Sequence, residues 1–168
     1  MIPLALTIAP FEETDPQALA DLTHDLSVLG LEVVQQEALP VPAEAYDPGR
    51  EQYVADALLA AVRRGRGRHI LGLTDLDLYS GDLNFVFGLA QLPGKAAVIS
   101  LFRLRHGADR TTFRIRAVKE ALHELGHTLG LRHCRDPRCV MHFSNSLADT
   151  DRKGAEYCER CRGELASY

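Results

Sequence analysis

The chain has 168 residues and a formal net charge of −4, with 46% hydrophobic and 25% charged residues, an ordinary globular balance long enough to bury one sizeable core. The acidic balance lacks the basic face of a nucleic-acid reader, no apolar stretch reaches bilayer-spanning length, and the start is broken by Pro3 and Pro10 and carries no basic leader. A soluble, cytoplasmic, monomeric protein with neither nucleic acid nor membrane as partner is expected.

Pro3 to Ile8 alternates Leu4, Leu6 and Ile8, a strand pattern, and Thr14-Asp15-Pro16 then supplies an N-cap and a first-turn proline for a helix to about Leu29. Leu19, Leu22, Leu26 and Leu29 follow helical spacing, and Gly30 stands where a left-handed C-terminal residue is wanted. Leu31 to Gln36 reads as a second strand, and the segment with Pro40, Pro42 and Pro48 as a loop. A second helix is expected from about Pro48 to Val62, stopped before Gly65 and Gly67, and the Arg63 to Arg68 run reads as a solvated turn. Three short apolar runs, His69 to Thr74, Leu83 to Ala90 and Lys95 to Leu101, read as strands. A long helix from about Thr112 to Leu129 carries Ile115, Val118, Leu122, Leu125 and Leu129, and Gly130 ends it. Beyond Gly130 the periodicity lapses, and all four cysteines lie there.

Residues 123 to 133 read His-Glu-Leu-Gly-His-Thr-Leu-Gly-Leu-Arg-His. On a helix, positions i and i+4 share a face, so His123 and His127 present two imidazoles to one metal ion, while Glu124 reaches a metal-bound water as general base without being a ligand. A third ligand on that face would be a turn too far away. Gly130 lets the chain reverse, because without a Cβ it adopts positive φ at little cost, and His133 returns to the metal. Three neutral imidazoles leave one position open, and zinc so held lowers the pKa of its bound water to about 7. H-E-x-x-H alone arises by chance in roughly 2% of chains like this one, and requiring Gly130 and His133 lowers that by a factor of roughly 300.

Cys134 and Cys139 form C-x4-C, and Cys158 and Cys161 form C-x2-C, ligand pairs of the kind that build a closed, structural four-thiolate zinc site. Two local disulfides are the alternative, disfavoured in a reducing compartment. A metal here would supply folding energy to a segment with little apolar periodicity and would anchor the chain directly after His133. Two Zn2+ ions are therefore expected, one catalytic and one structural. Asp75 and Asp77 read as turn or capping residues, and His24, His69 and His106 carry no ligand spacing.

The run from His123 through Cys134, Cys139 and Met141 to Cys158 and Cys161 resembles the archaemetzincins, whose pattern is H-E-x-x-H-x-x-G-x-x-H-C-x4-C-x-M followed by a distant C-x2-C. Every fixed position is met, and the interval from Met141 to Cys158 is about one residue shorter. The resemblance implies an α/β fold: a metzincin-like mixed sheet with an antiparallel edge strand, flanking helices, a long active-site helix and a small zinc-stapled C-terminal subdomain. It places Met141 in a Met-turn beneath the metal ligands, with Gly130 as a second supporting residue. One catalytic domain over 1–168 follows, with 1–130 as N-terminal and 131–168 as C-terminal subdomain. Leu83 to Ala90 best fits the edge strand, onto which an extended peptide or protein substrate could add. The function implied is a zinc metallopeptidase. A zinc-stabilised binding protein without turnover and a zinc hydrolase of non-peptide amides are the alternatives. Where some metzincins carry a tyrosine two residues after the Met-turn, this chain has Phe143; Tyr157 has no place fixed by sequence, and His142 reads as a surface or packing histidine sooner than as a lining of the substrate pocket.

Overall fold

The computed structural model describes residues 4–167. Pro3, the expected start of the first strand, lies outside them, and that strand, β1, runs Ala5–Pro10. The other strands of the main sheet are β2 (Glu32–Gln35), β5 (Ile70–Thr74), β7 (Gly88–Ala90) and β8 (Ala96–Ser100), arranged β2-β1-β5-β8-β7. All neighbours are parallel except β7, which runs antiparallel to β8 at the edge, so the sheet is mixed as expected.

β5 and β8 are buried along their whole length, because helices cover both faces of the sheet. Alternating side chains of β8 feed two cores. Ala97 and Ile99 join Leu22 and Leu26 of α1 (Pro16–Val28) and Leu122 and Leu125 of α3 (Arg110–Thr128) on one face. Ala96 and Val98 meet Leu58 and Val62 of α2 (Ala55–Arg63) on the other. α1 starts as expected, with the Asp15 side chain accepting from Gln17 N and proline in the first turn.

Two elements differ from the sequence reading. The second helix opens at Ala55 rather than near Pro48. Asp47 Oδ1 accepts from the N–H groups of Gly49 and Arg50, Glu51 takes a φ of 54°, and the chain reverses into a hairpin of β3 (Tyr46–Asp47) and β4 (Gln52–Val54). β4 then pairs in parallel with β6 (Leu78–Tyr79) to make a small second sheet. The Leu83 to Ala90 strand is also shorter. Its first half is held by the small sheet: Arg50 Nη2 donates to Leu83 O (2.6 Å), Gln52 Nε2 to Asn84 O (2.9 Å) and Val86 N to Leu78 O (2.9 Å). Only the Phe87 carbonyl, which accepts from Ser100 N, and Gly88 to Ala90 are left to pair with β8.

After α3 the chain makes two further short helices, α4 (Leu147–Arg152), capped by the Ser146 hydroxyl accepting from Asp149 N, and α5 (Glu159–Leu165). Among the described residues no helix is long and apolar enough to cross a membrane.

Candidate metal centre

α3 carries His123 and His127 one turn apart and ends at Thr128. Leu131 N donates back to Gly126 O and Gly130 N to His127 O, both at 2.9 Å, with Gly130 at φ 94°. This left-handed closure is what returns His133 to the helix end. One ligand nitrogen from each of the three histidines lies within 4.8 Å of the others. His123 Nε2 and His127 Nε2 are 3.2 Å apart. Two imidazole nitrogens bound to one tetrahedral zinc at about 2.0–2.1 Å stand about 3.3 Å apart, so the pair fits a single ion.

The outer nitrogens are fixed by backbone. His123 Nδ1 lies 2.8 Å from Val140 O, and His127 Nδ1 lies 2.7 Å from Leu131 O. A carbonyl can only accept, so each Nδ1 carries the proton and each Nε2 offers a lone pair to the shared point. Burial is the main cause that holds all three rings below the usual histidine pKa, His123 furthest, with the Lys153 charge adding to it. They are therefore kept neutral, the form that binds metal.

Glu124 lines the same cleft of about 510 Å³ and is only 5% exposed. Burial first, and then the neighbouring Glu120 charge, push its carboxyl well above the ordinary range. Edge strand β7 runs directly against it: a Cβ built on Gly88 would lie 2.7 Å from both Cγ and Oε1 of Glu124. Met141 is fully buried, and its sulfur packs where a side chain on Gly126 would otherwise stand. Tyr157 packs at the same glycine and donates its hydroxyl to Leu122 O at 2.7 Å, with burial raising its pKa. It is thus committed to α3 and offers the cleft no donor. Phe143 sets its ring, tilted by 48°, 5.1 Å from that of His133 on the cleft wall, and His142 Nδ1 is engaged with Cys134 O at 2.9 Å.

Cys134, Cys139, Cys158 and Cys161 converge with all four sulfurs within 4.8 Å and no disulfide among them. Cys134 Sγ and Cys158 Sγ are 3.7 Å apart, and Cys139 Sγ and Cys161 Sγ 3.8 Å. Sulfurs at about 2.3 Å from a tetrahedral zinc are separated by about 3.8 Å, whereas bonded sulfurs lie at about 2.05 Å. Backbone N–H groups of Asp136, Met141 and Cys158 point at these sulfurs at 3.4 Å, a setting that suits thiolates. The donor chemistry of both clusters therefore fits a zinc ion.

Asp75 and Asp77 behave as structural carboxylates: Asp77 holds Arg103 at 2.7 Å and Asp75 holds Arg105 at 2.8 Å, while Asp75 also accepts from Asp15 N. Sequence reasoning missed Gly88, Glu120 and Lys153. Glu120 has a signal of a kind, since it stands one turn before Glu124 on the same helix. Lys153 has none, because it comes from a stretch without periodicity, yet its side chain is fully buried, 3.2 Å from Glu120 Oε1 and 3.4 Å from His123 Nδ1.

Residues 40–167 match the model of peptidase family M54. The archaemetzincin of Methanopyrus kandleri is 47% identical over 140 residues, covering 82% of this chain and 79% of that protein. Its crystal structure superposes with a TM-score of 0.88 over 98% of this chain and 94% of that one, at 40% identity. The archaemetzincin of Archaeoglobus fulgidus, crystallised in complex with malonate, gives a TM-score of 0.88 at 38% identity, covering 96% of this chain and 99% of that one.

Proposed function

The chain belongs to peptidase family M54, the archaemetzincins, and is a zinc metallopeptidase; from that premise we propose that His123, His127 and His133 hold the catalytic zinc and that Glu124 is the general base for hydrolysis of peptide or protein substrates. The observation that carries this reading is the meeting of three neutral, backbone-oriented imidazoles with one buried carboxyl in a single cleft. Zinc bound there supplies a Lewis acid for the scissile carbonyl and a positive charge that acidifies the attacking water.

The chain's own residues do the rest. Glu124 sits where burial makes its carboxyl a better proton acceptor than an ordinary glutamate, matched to taking a proton from water and passing it to the departing amine. Gly88 keeps the edge strand close enough to confine that carboxyl to one side. The free edge of β7 offers backbone groups to an extended peptide laid beside it. Met141 and Tyr157, packed at Gly126, support the helix turn that carries His127.

The four cysteines hold a second, structural zinc, making two ions per chain, and a reducing cytoplasm keeps them as thiols or thiolates. On this reading, residues 1–130 form the N-terminal subdomain, and 131–168 a C-terminal subdomain that the thiolate site ties to the third histidine. Glu124→Gln keeps both metals and abolishes hydrolysis of a peptide library. The check is elemental analysis alongside cleavage assays of wild type and variant; persistent cleavage by the variant rules out Glu124 as the base.

A further inference from the structure

Besides Glu124, the cleft is lined by two acidic residues that hydrolysis as described does not use, the exposed Asp82 and the buried Glu120. Glu120 lines it beside His123 and Glu124 yet is only 2% exposed. Its Oε1 is occupied, accepting from Thr150 Oγ1 at 3.1 Å and paired with Lys153 Nζ at 3.2 Å. Its Oε2 has no hydrogen-bond partner among the described residues.

The Lys153 ammonium that balances this charge is shut away behind it, with a side chain 0% exposed and its remaining neighbours His123 Nδ1 and His142 O. A group entering the cleft therefore meets the carboxylate and not the cation. Ser144, on the segment after Met141, lines the same cleft, and its hydroxyl is buried with no partner among the described residues. The remaining walls are largely apolar, from Leu83, Val86, Phe87, Leu89 and Phe143.

Apolar walls ending in an anchored carboxylate with one free oxygen suit a long aliphatic side chain with a cationic tip. Resting on the peptidase reading of the cleft, we propose that Glu120 is a specificity-determining residue that selects a lysine or arginine side chain next to the scissile bond, with Ser144 as a second hydrogen-bonding partner. Thr150 and Lys153 fix the carboxylate in place, so little reorganisation accompanies binding.

The test uses zinc-loaded Glu124→Gln and fluorescein-labelled octapeptides in which each position in turn holds lysine, arginine, norleucine, acetyl-lysine or glutamate, read by anisotropy. At one position lysine and arginine should bind at least about tenfold more tightly than norleucine and acetyl-lysine. Adding Glu120→Gln should bring the four to within about threefold. Adding Glu120→Asp instead keeps the buried charge but draws the carboxylate back by one methylene, and should favour arginine over lysine; this second variant covers the case in which the glutamine variant fails to fold. Equal binding of lysine and norleucine peptides, or a basic preference that survives Glu120→Gln, overturns the proposal. Cleavage by wild type is read separately: peptides bound with discrimination but never cut count against the peptidase reading, and peptides cut without discrimination count against this subsite alone.

Discussion

At the scale of single residues, the site depends on a glycine that no motif marks. A methyl group on Gly88 would meet Glu124 Cγ and Oε1 at 2.7 Å and Val98 O at 2.8 Å, and the last of these is backbone of the neighbouring strand and cannot swing aside. Gly88→Ala should therefore push the edge strand outward or turn Glu124 away. We expect a loss of about 1–3 kcal/mol in stability by urea unfolding and a fall in kcat of tenfold or more with both metals retained. A variant with wild-type kcat would show that the strand does not position the base. His69 gives a prediction of a different kind. It is buried just before β5, 3.4 Å from Thr128 Oγ1, and burial holds its pKa below the usual histidine value. The folded chain thus favours neutral His69 while the unfolded chain takes up a proton near pH 6.5, so its contribution is complete above that pH and is lost as pH falls toward the folded value. In zinc-loaded protein, His69→Gln should flatten the decline in Tm below pH 6.5. An unchanged slope would place the acid sensitivity elsewhere.

At the scale of elements, α4 and the residue that follows it are fastened to α3 by charged side chains. Arg116 forms a bidentate pair with Asp151 at 2.7 and 2.8 Å, Lys119 Nζ donates to the carbonyls of Thr150 and Asp151, and Lys153 reaches Glu120. The last of these pairs is the most enclosed, with side chains 0% and 3% exposed. Removing one partner of such a pair leaves the other charge buried alone, so Lys153→Met should cost about 3–5 kcal/mol in urea unfolding. Lys153→Met with Glu120→Gln should recover most of that, because no uncompensated charge remains and Thr150 can still donate to the amide oxygen. If the double variant is as unstable as the single, packing rather than charge accounts for the loss. Helices and central strands were legible in sequence because their patterns are local and repeated: Leu22 and Leu26 on α1, Leu122 and Leu125 on α3, and the unbroken apolar run of β5. The β3-β4-β6 sheet was not, since strands of two and three residues carry no period and form only when Gln52 to Val54 meets Leu78 and Tyr79 in space. The same division runs through the site. His123, His127, His133 and the cysteine pairs follow from spacing along the chain, whereas the placing of Gly88 and Lys153 around Glu124 and Glu120 is a product of the tertiary fold and leaves no mark in sequence.

At the scale of the whole molecule, the main sheet and the chain after Gly130 differ in what holds them. The sheet has cores on both faces, with Ile8, Leu73, Val98 and Ile99 fully enclosed, and needs no metal to account for its burial. Beyond Gly130 the apolar residues that are deeply buried are few, chiefly Leu131, Val140 and Met141, and the four sulfurs gather at their centre. A structural zinc is worth about 10–16 kcal/mol in isolated zinc-binding peptides, far more than those few side chains supply. If the thiolates hold the second zinc proposed above, Cys158→Ser should give one zinc per chain by elemental analysis, lower Tm, and remove hydrogen-exchange protection from amides of residues 134–165 while those of β1, β5 and β8 keep theirs. Its effect reaches the catalytic site through a short path, because Cys134 directly follows His133 and Cys134 N donates to Met141 O at 2.9 Å. Loss of the thiolate metal should thus weaken the remaining zinc by about 10–100-fold, as expected when the support behind a ligand is removed. Protection lost uniformly over the whole chain would mean that the two parts unfold as one unit, and a catalytic zinc held as tightly as before would mean that His133 is positioned by the Gly130 turn alone.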